Sequence, residues 1–443
     1  MTTTTAAQDD VPASRSRSAG LLAGGGGIAA TMVIANGAFY ALTMLSARLL
    51  GPAEYSALAA AMNLLLVLSV VSLGVQATAA RRIALDATHA QEIEASVLRL
   101  SWRTGLGIGL ALVVLSPLVK ELLRLDDLSP ALWLAAATVP STVVGGYIGI
   151  LQGERRWRDL SLLYLAASLR LPVGVVLLLW WPDVVTALVA VTLAGFLPIL
   201  VGRHSLRNTR SGIVSMHRRG IRELVSEAAR NSQALLSFMA LSNVDVIVAR
   251  AVLDPHEAGL YAAGAILSKT CAILPQFVVV VAFPSLASHT ERIRALTRGL
   301  VLTAAIGLAA TLGVTLLRPL ALSVVGGGEF AEISADLPAF TLLGTCMAMV
   351  QLVVYAVLAR QGRRSTWLIW ICAAVLVLGG STAATAQSLL VWGLCVTTAL
   401  LVVLVATSFW IVRRPAPADD ADSASDTTSG ALDATNATAA PTH

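Results

Sequence analysis

Charge is the scarcest resource in this 443-residue chain. Only 13 % of its residues are Asp, Glu, Lys or Arg, while 56 % are hydrophobic. Mean hydropathy is +0.77. A soluble domain carries roughly a quarter of its residues as charges, so this composition excludes an ordinary water-soluble fold. Aromatic residues are also sparse, at 5 %. The four cysteines, Cys271, Cys346, Cys372 and Cys395, all fall inside apolar runs without paired or metal-ligand spacing. That excludes a disulfide framework and a zinc site, and they read as small buried hydrophobes. The Gly24–Gly27 run has no Lys-Ser/Thr after it and no strand before it, so it is not a phosphate loop. Close helix packing is the expected use of it and of the glycines from Gly105 to Gly109. The net charge of +5 is spread over short loops, which is not the footprint of a nucleic-acid binder.

What the sequence does hold is a row of long apolar runs. A spanning helix needs about 20 apolar residues, and about twelve runs qualify. They fall near 21–46, 55–80, 100–119, 130–151, 160–181, 183–202, 227–250, 257–285, 299–323, 334–358, 365–386 and 389–412. The first run follows Arg15 and Arg17 but is too long for a signal core, so it is expected to be retained. With the N-terminus inside, the inner loops receive Arg81 and Arg82, Arg155 to Arg158, Arg203 to Arg222, Arg292 to Arg298, Arg360 to Arg364, and Arg413 with Arg414. The outer loops receive only Arg48, Lys120, Arg124 and Arg250. This asymmetry predicts an even number of spans with both termini cytoplasmic, in a multi-pass protein of the plasma membrane. Residues 1–18 and 415–443 are rich in small polar residues and are expected to be disordered.

The chain also repeats itself. Ala47-Arg48-Leu49-Leu50-Gly51-Pro52-Ala53-Glu54, with Ala59-Ala60 after it, returns about 203 residues later. The second copy reads Ala249-Arg250, Leu253-Asp254-Pro255-His256-Glu257-Ala258, then Ala262-Ala263. Each copy lies between two apolar runs, six spans apart. The expected architecture is therefore all-α, with an N-lobe over 19–202, a basic linker over 203–226 and a C-lobe over 227–414. The lobes are parallel repeats about an axis along the membrane normal, which suits a transporter that rocks one half against the other. The linker's second part reads as a basic amphipathic helix on anionic lipid.

The segments Ala47 to Tyr55 and Ser72-Leu73-Gly74-Val75-Gln76-Ala77-Thr78-Ala79-Ala80-Arg81-Arg82 resemble the opening helix pair of bacterial polysaccharide flippases. The segment from Asp245 to Pro284, including Glu257-Ala258-Gly259-Leu260-Tyr261, resembles their seventh and eighth helices. The superfamily also holds multidrug-and-toxin exporters and peptidoglycan-precursor flippases. The resemblance implies a V-shaped pair of six-helix lobes around a central cavity. It implies movement of an oligosaccharide on an undecaprenyl-diphosphate carrier from the inner to the outer leaflet. Members often place a cation in the first helix, whereas here that span offers only Asn36.

An ionisable group at bilayer depth costs about 2.5–3.5 kcal/mol by insertion scales, so deep charges should face a wet cavity or each other. Arg170 and Lys269 lie near mid-span, one in each half, and Arg230 sits in the first turns of the seventh span. Facing each other across a cavity, Arg170 and Lys269 would hold a diphosphate, the arginine through its planar fork. The alternative is a buried ion pair or snorkelling to the interface. Asp245 is a candidate for ion coupling or a gate, with pairing to Lys269 or Arg250 as the structural alternative. Among the uncharged polar residues, Asn36, Gln76, Asn243 and Gln276 are candidate cavity lining, and Asn63, Gln233 and Gln351 belong to the same set. Pro172 and Pro275 are expected to kink their helices, with Pro140 a third candidate.

No outer loop exceeds about a dozen residues, by the span rule above, and none gathers His, Asp and Glu, so an enzyme is not expected. A cation-coupled multidrug antiporter on the same fold is the main alternative. Such a site favours acids and aromatics, against the deep cations found here. Peptidoglycan-precursor flippases commonly add helices beyond twelve. No cofactor, metal or nucleic acid is expected. The expected partners are the lipid-linked oligosaccharide, membrane lipids and the polysaccharide polymerase and glycosyltransferase machinery.

Overall fold

Gly51 breaks the first long helix, α1 (Gly27–Leu68), with φ 70° and ψ 173°. Only glycine enters that region freely, and Pro52 then opens the next helical stretch with its φ already set. The two stretches fold back on each other, since Phe39, Tyr40 and Ser46 line one cavity together with Tyr55, Ala59 and Asn63. The repeated motif is thus a turn between two spans, as its place between apolar runs predicts. The computed structural model describes residues 27–86, 88–207, 218–286, 292–358 and 363–413.

Beyond Ser69 the second span continues as α2 (Val70–Leu85). There follow α3 (Ala90–Val114), a short α4 (Ser116–Leu122), α5 (Ser129–Gly153), α6 (Trp157–Ser168), α7 (Arg170–Trp180) and α8 (Val184–Arg207). The second half holds α9 (Arg218–Val252), α10 (Pro255–Leu286), α11 (Arg292–Leu316) and a short α12 (Arg318–Val325). A 3-10 turn (Gly328–Ala335) leads to α13 (Leu337–Leu358), α14 (Arg363–Gly380) and α15 (Ala386–Arg413). No strand occurs among the described residues. Nine helical stretches among them are long and apolar enough to cross a membrane. The first, Gly27–Leu85, contains two spans. With α10 and α14, parts of which lie outside the described side chains, the layout is six spans before residue 208 and six after 217.

Lipid exposure is legible on α11, whose Leu308, Leu312 and Leu316 are 67, 59 and 72 % exposed. An apolar stripe of that kind is stable only against acyl chains. Inside the N-lobe the helices meet through glycine. A Cβ on Gly105 would sit 3.2 Å from the Val139 carbonyl oxygen, and one on Gly109 3.1 Å from that of Ala135. This is the close packing expected of that glycine run. A Cβ on Gly149 would lie 2.5 Å from the Gln76 carbonyl oxygen. Gly149→Val is therefore expected to cost about 1–3 kcal/mol through overpacking. Thermal unfolding in detergent checks this, with a clearly lowered Tm as the expected result.

Pro172 has the effect its chemistry predicts. It lacks an N–H and its ring crowds the carbonyl four residues back, which is Ser168, the last residue of α6. The helix resumes at Arg170. Pro140 acts differently, because α5 runs through it unbroken. Pro275 lies within the helix α10, and its side chain is outside the described ones. Of the basic stretch 203–226, residues 203–207 finish α8 and 218–226 open α9, so the second part is helical, as expected. Cys271, Cys346 and Cys372 are only partly buried and Cys395 is exposed, which corrects the reading of all four cysteines as buried.

Separate apolar clusters hold each lobe. Leu134, Leu178 and Leu188 centre one N-lobe cluster, and Phe238, Val353 and Leu400 centre one in the C-lobe. A third cluster crosses between lobes at the end remote from the chain termini, the distal end. There Ala47, Tyr55 and Ala59 pack with Ala249, Leu260, Tyr261 and Phe330. The lobes therefore meet at the distal end, α2 of the N-lobe also packs along α9 of the C-lobe, and a cavity lies between the two lobes.

Candidate functional site: a cation in the cavity between lobes

The inter-lobe cavity has a volume of about 50 Å³. Phe39, Tyr40 and Asn63 line it from the N-lobe, and Val246, Ile266 and Lys269 from the C-lobe. Lys269 lies 14 residues into α10, some 21 Å along it at about 1.5 Å per residue. Its Nζ donates to Asn63 Oδ1 on one lobe and, at 2.8 Å, to Asn243 Oδ1 on the other. Each amide is aimed by its own helix. Asn63 Nδ2 donates to the Ala59 carbonyl at 2.7 Å, and Asn243 Nδ2 to that of Met239 at 2.8 Å. The NH₂ groups are thereby tied back one turn, and the carbonyl oxygens turn to the ammonium. Among the described residues no carboxylate lies within ion-pair distance of Lys269. An ammonium held by neutral amide oxygens is not committed to a carboxylate and can form a charge-assisted bond to an anion.

Arg170 does not face Lys269 across this cavity. The break at Leu169 lets its Nε donate to the Ala167 carbonyl at 2.7 Å. Its guanidinium then lies 5.6 Å over the Phe39 ring centroid. Phe39 forms the cavity wall at that point, and Arg170 stands behind it in a cation–π contact. Asn243, expected to line the cavity, is buried and bonds the cavity's cation. Asn63, which composition alone counts only as one polar residue among several, is the missed partner. Its signal would have been its place three turns past the Gly51-Pro52 turn, level with Phe39 on the opposing span.

Gln76 is not free to line the cavity. The Gly149 approach brings α5 against α2, and Gln76 Nε2 donates to Gln152 Oε1 at 3.0 Å within the N-lobe. Asn36 is exposed, one turn before Tyr40 on the same helix face. The side chains of Arg230 and Gln276 lie outside the described residues.

Asp245 belongs to a neighbouring C-lobe cavity of about 40 Å³, which it shares with Ser242, Ser268, Thr397 and Lys269. Its Oδ2 accepts from the Tyr261 hydroxyl at 3.1 Å, whereas Oδ1 has no hydrogen-bond partner. Pairing with Arg250 does not occur, because that guanidinium is committed to the N-lobe: its Nε donates to the Leu123 carbonyl at 2.8 Å. Asp245 is instead a 7 % exposed carboxylate beside a cavity. No group of metal-ligating residues is present among the described residues.

Known proteins share this architecture. The sequence profile of a family described as "Polysaccharide biosynthesis protein" matches residues 21–290. An inward-facing multidrug resistance MATE family transporter of the MOP superfamily is similar over 86 % of this chain and 94 % of its own, with TM-score 0.68 and 15 % identity. An outward-facing MATE family transporter of the same superfamily gives 0.61 at 17 % identity, covering 87 % of this chain and 94 % of its own. A MOP superfamily transporter from Pyrococcus furiosus, described by the reverse polarity of its binding pocket, gives 0.58 at 16 % identity, over 88 and 96 % of the two chains. No curated protein matches the sequence. A profile covering more than half of the residues means that this chain belongs to the polysaccharide biosynthesis protein family, on a two-lobed helical fold similar to that of these transporters.

Proposed function

We propose that the protein moves an undecaprenyl-diphosphate-linked oligosaccharide from the inner to the outer leaflet of the plasma membrane by alternating access. The observation that carries this reading is Lys269, a cation in the inter-lobe cavity bound, among the described residues, by amide oxygens from both lobes. A diphosphate would replace two neutral acceptors with charged ones, which form stronger hydrogen bonds to an ammonium. Arg170 adds positive potential through Phe39, and Arg230 and Gln276 complete the proposed site. Asn36 and Asn243 offer hydrogen bonds to the head group or its sugars. The termini face the cytoplasm, where the carrier is loaded, and the polymerase machinery receives the product outside. Family membership supports the sugar-polymer context of the reading.

Translocation of a fluorescent undecaprenyl-diphosphate disaccharide in proteoliposomes tests it, with quencher access reporting the leaflet. Saturable translocation is the expected result. The apolar, aromatic wall made by Phe39, Tyr40 and Tyr55 favours the second reading, a drug antiporter. Proton- or sodium-driven uptake of an organic cation, with no movement of the lipid, would establish that reading instead.

Asp245, with one unpartnered oxygen beside Lys269's cavity, is proposed to couple an ion gradient to the lobe movement. Asp245→Asn is expected to abolish the dependence of transport on the imposed gradient while lipid binding survives. Unchanged gradient dependence would remove Asp245 from the mechanism.

A further inference from the structure

The repeat places Arg48 and Arg250 at equivalent positions, each at the distal end of the first span of its lobe. A second pair of segments has the same spacing. Ser116-Pro117-Leu118 opens the short helix α4, and Arg318-Pro319-Leu320 opens the short helix α12. Both short helices sit at the distal end, and each leaves carbonyls at its C-terminus that its own chain does not fully satisfy.

The two arginines cross the lobe boundary to reach those carbonyls. Arg250, from the C-lobe, is 7 % exposed, and every acceptor given for it lies in the N-lobe. Its Nε donates to the Leu123 carbonyl at 2.8 Å and its Nη2 to that of Arg124 at 2.7 Å. Its Nη1 donates to Ser56 Oγ at 2.7 Å. Leu123 and Arg124 end α4, and the left-handed φ of 46° at Arg124 closes the helix. There the Arg124 and Leu125 amides bond back to the Glu121 and Lys120 carbonyls. Arg250 takes the carbonyls of Leu123 and Arg124, which lie beyond those two. Arg48, from the N-lobe, makes the mirror contact: its Nη2 donates to the Ser323 carbonyl in the last turn of α12. Arg124 adds a return contact, with Nη1 donating to the Leu253 carbonyl just past α9 at 2.9 Å.

The geometry points to a distal gate built from exchanged helix caps: Arg48 and Arg250 each cap the short helix of the opposite lobe, and the gate opens only when both caps are withdrawn. A cation at a helix C-terminus is favoured by the hydrogen bonds and by the helix dipole. Opening trades those bonds for water at the rim, so the net change per bond is modest and the gate is reversible. Burial of Arg250 against partial exposure of Arg48 makes Arg250 the stronger half. The inference rests on alternating movement of the lobes and not on which lipid is carried.

Nitroxide labels at Glu121→Cys and Ala384→Cys, exposed distal positions in opposite lobes, read the gate in a cysteine-free full-length protein in nanodiscs. Pulsed electron spin resonance is expected to give one dominant short distance in the otherwise native chain. Arg250→Gln should lower the closed-to-open ratio about tenfold or more, since bonds from a charged donor are lost. Arg48→Gln should shift it the same way by less, and the double variant by most. If Arg250→Gln does not fold, Arg250→Lys takes its place, because lysine keeps the charge without the fork that spans these acceptors. Folded variants that retain the native distance distribution, or a native chain already open at this end, would overturn the gate. A closed gate released by both substitutions stands even if the lipid of the previous section proves wrong.

Discussion

Lys269→Glu is expected to abolish the proposed translocation of a lipid-linked diphosphate sugar, and Lys269→Ala to lower it about 10- to 100-fold. The second figure follows from one charge-assisted hydrogen bond, worth about 1.5–3 kcal/mol. Reversal is worse than removal, since a carboxylate there repels the diphosphate and faces two amide oxygens, Asn63 Oδ1 and Asn243 Oδ1, that cannot donate to it. Lys269→Arg should keep part of the activity, because it retains a donor and the charge. Initial rates in proteoliposomes, and surface glycan in a deletion strain carrying each variant, measure the effect. Folding should survive in the alanine variant, because Asn63 and Asn243 keep their bonds to Ala59 and Met239.

Gly259→Val has the second largest expected effect. A Cβ at Gly259 would lie 2.0 Å from the Pro52 carbonyl oxygen and 2.4 Å from its carbon, in the opposite lobe. Backbone cannot yield there as a flexible side chain would. Within its own lobe, valine is a tolerable residue in helix α10, so the C-lobe should form normally. The strain falls on the distal seal, where Pro52 adjoins the Tyr55–Phe330 edge contact at 6.4 Å. Overpacking of this kind costs about 1–3 kcal/mol. The distal-closed state is expected to lose population, and transport to fall about tenfold or more. Spin-label distances across the distal end separate this effect from unfolding, since the helical content should be unchanged.

Much of the fold was legible because lipid reduces the number of solutions. Apolar length gave the spans, arginine placement gave their alternation, and the Gly51-Pro52 and Asp254-Pro255 copies gave the two-lobed symmetry. The Gly105–Gly109 contact with α5 and the break before Pro172 also follow from local chemistry alone. The site was legible in kind but not in arrangement. Depth singled out Lys269, yet depth along a helix does not give the direction a side chain faces. Hence Arg170 stands behind Phe39, and Gln76 is spent on Gln152 inside one lobe. Asn63 carried no signal of its own, since an amide in a span is more often an interhelical bond than a site. Arg250 looked like an ordinary outer-loop charge, because the carbonyls that hold it come from a turn more than a hundred residues away.

Direct binding of the carrier is the sharpest test of a cation-lined passage between the lobes. Native mass spectrometry of the purified protein would compare undecaprenyl-diphosphate sugar, the corresponding monophosphate and a neutral polyprenyl glycoside. The account predicts retention in the order diphosphate, monophosphate, neutral lipid, with the preference erased in Lys269→Ala. Equal retention of all three lipids, or a diphosphate preference that survives the loss of Lys269, would contradict it.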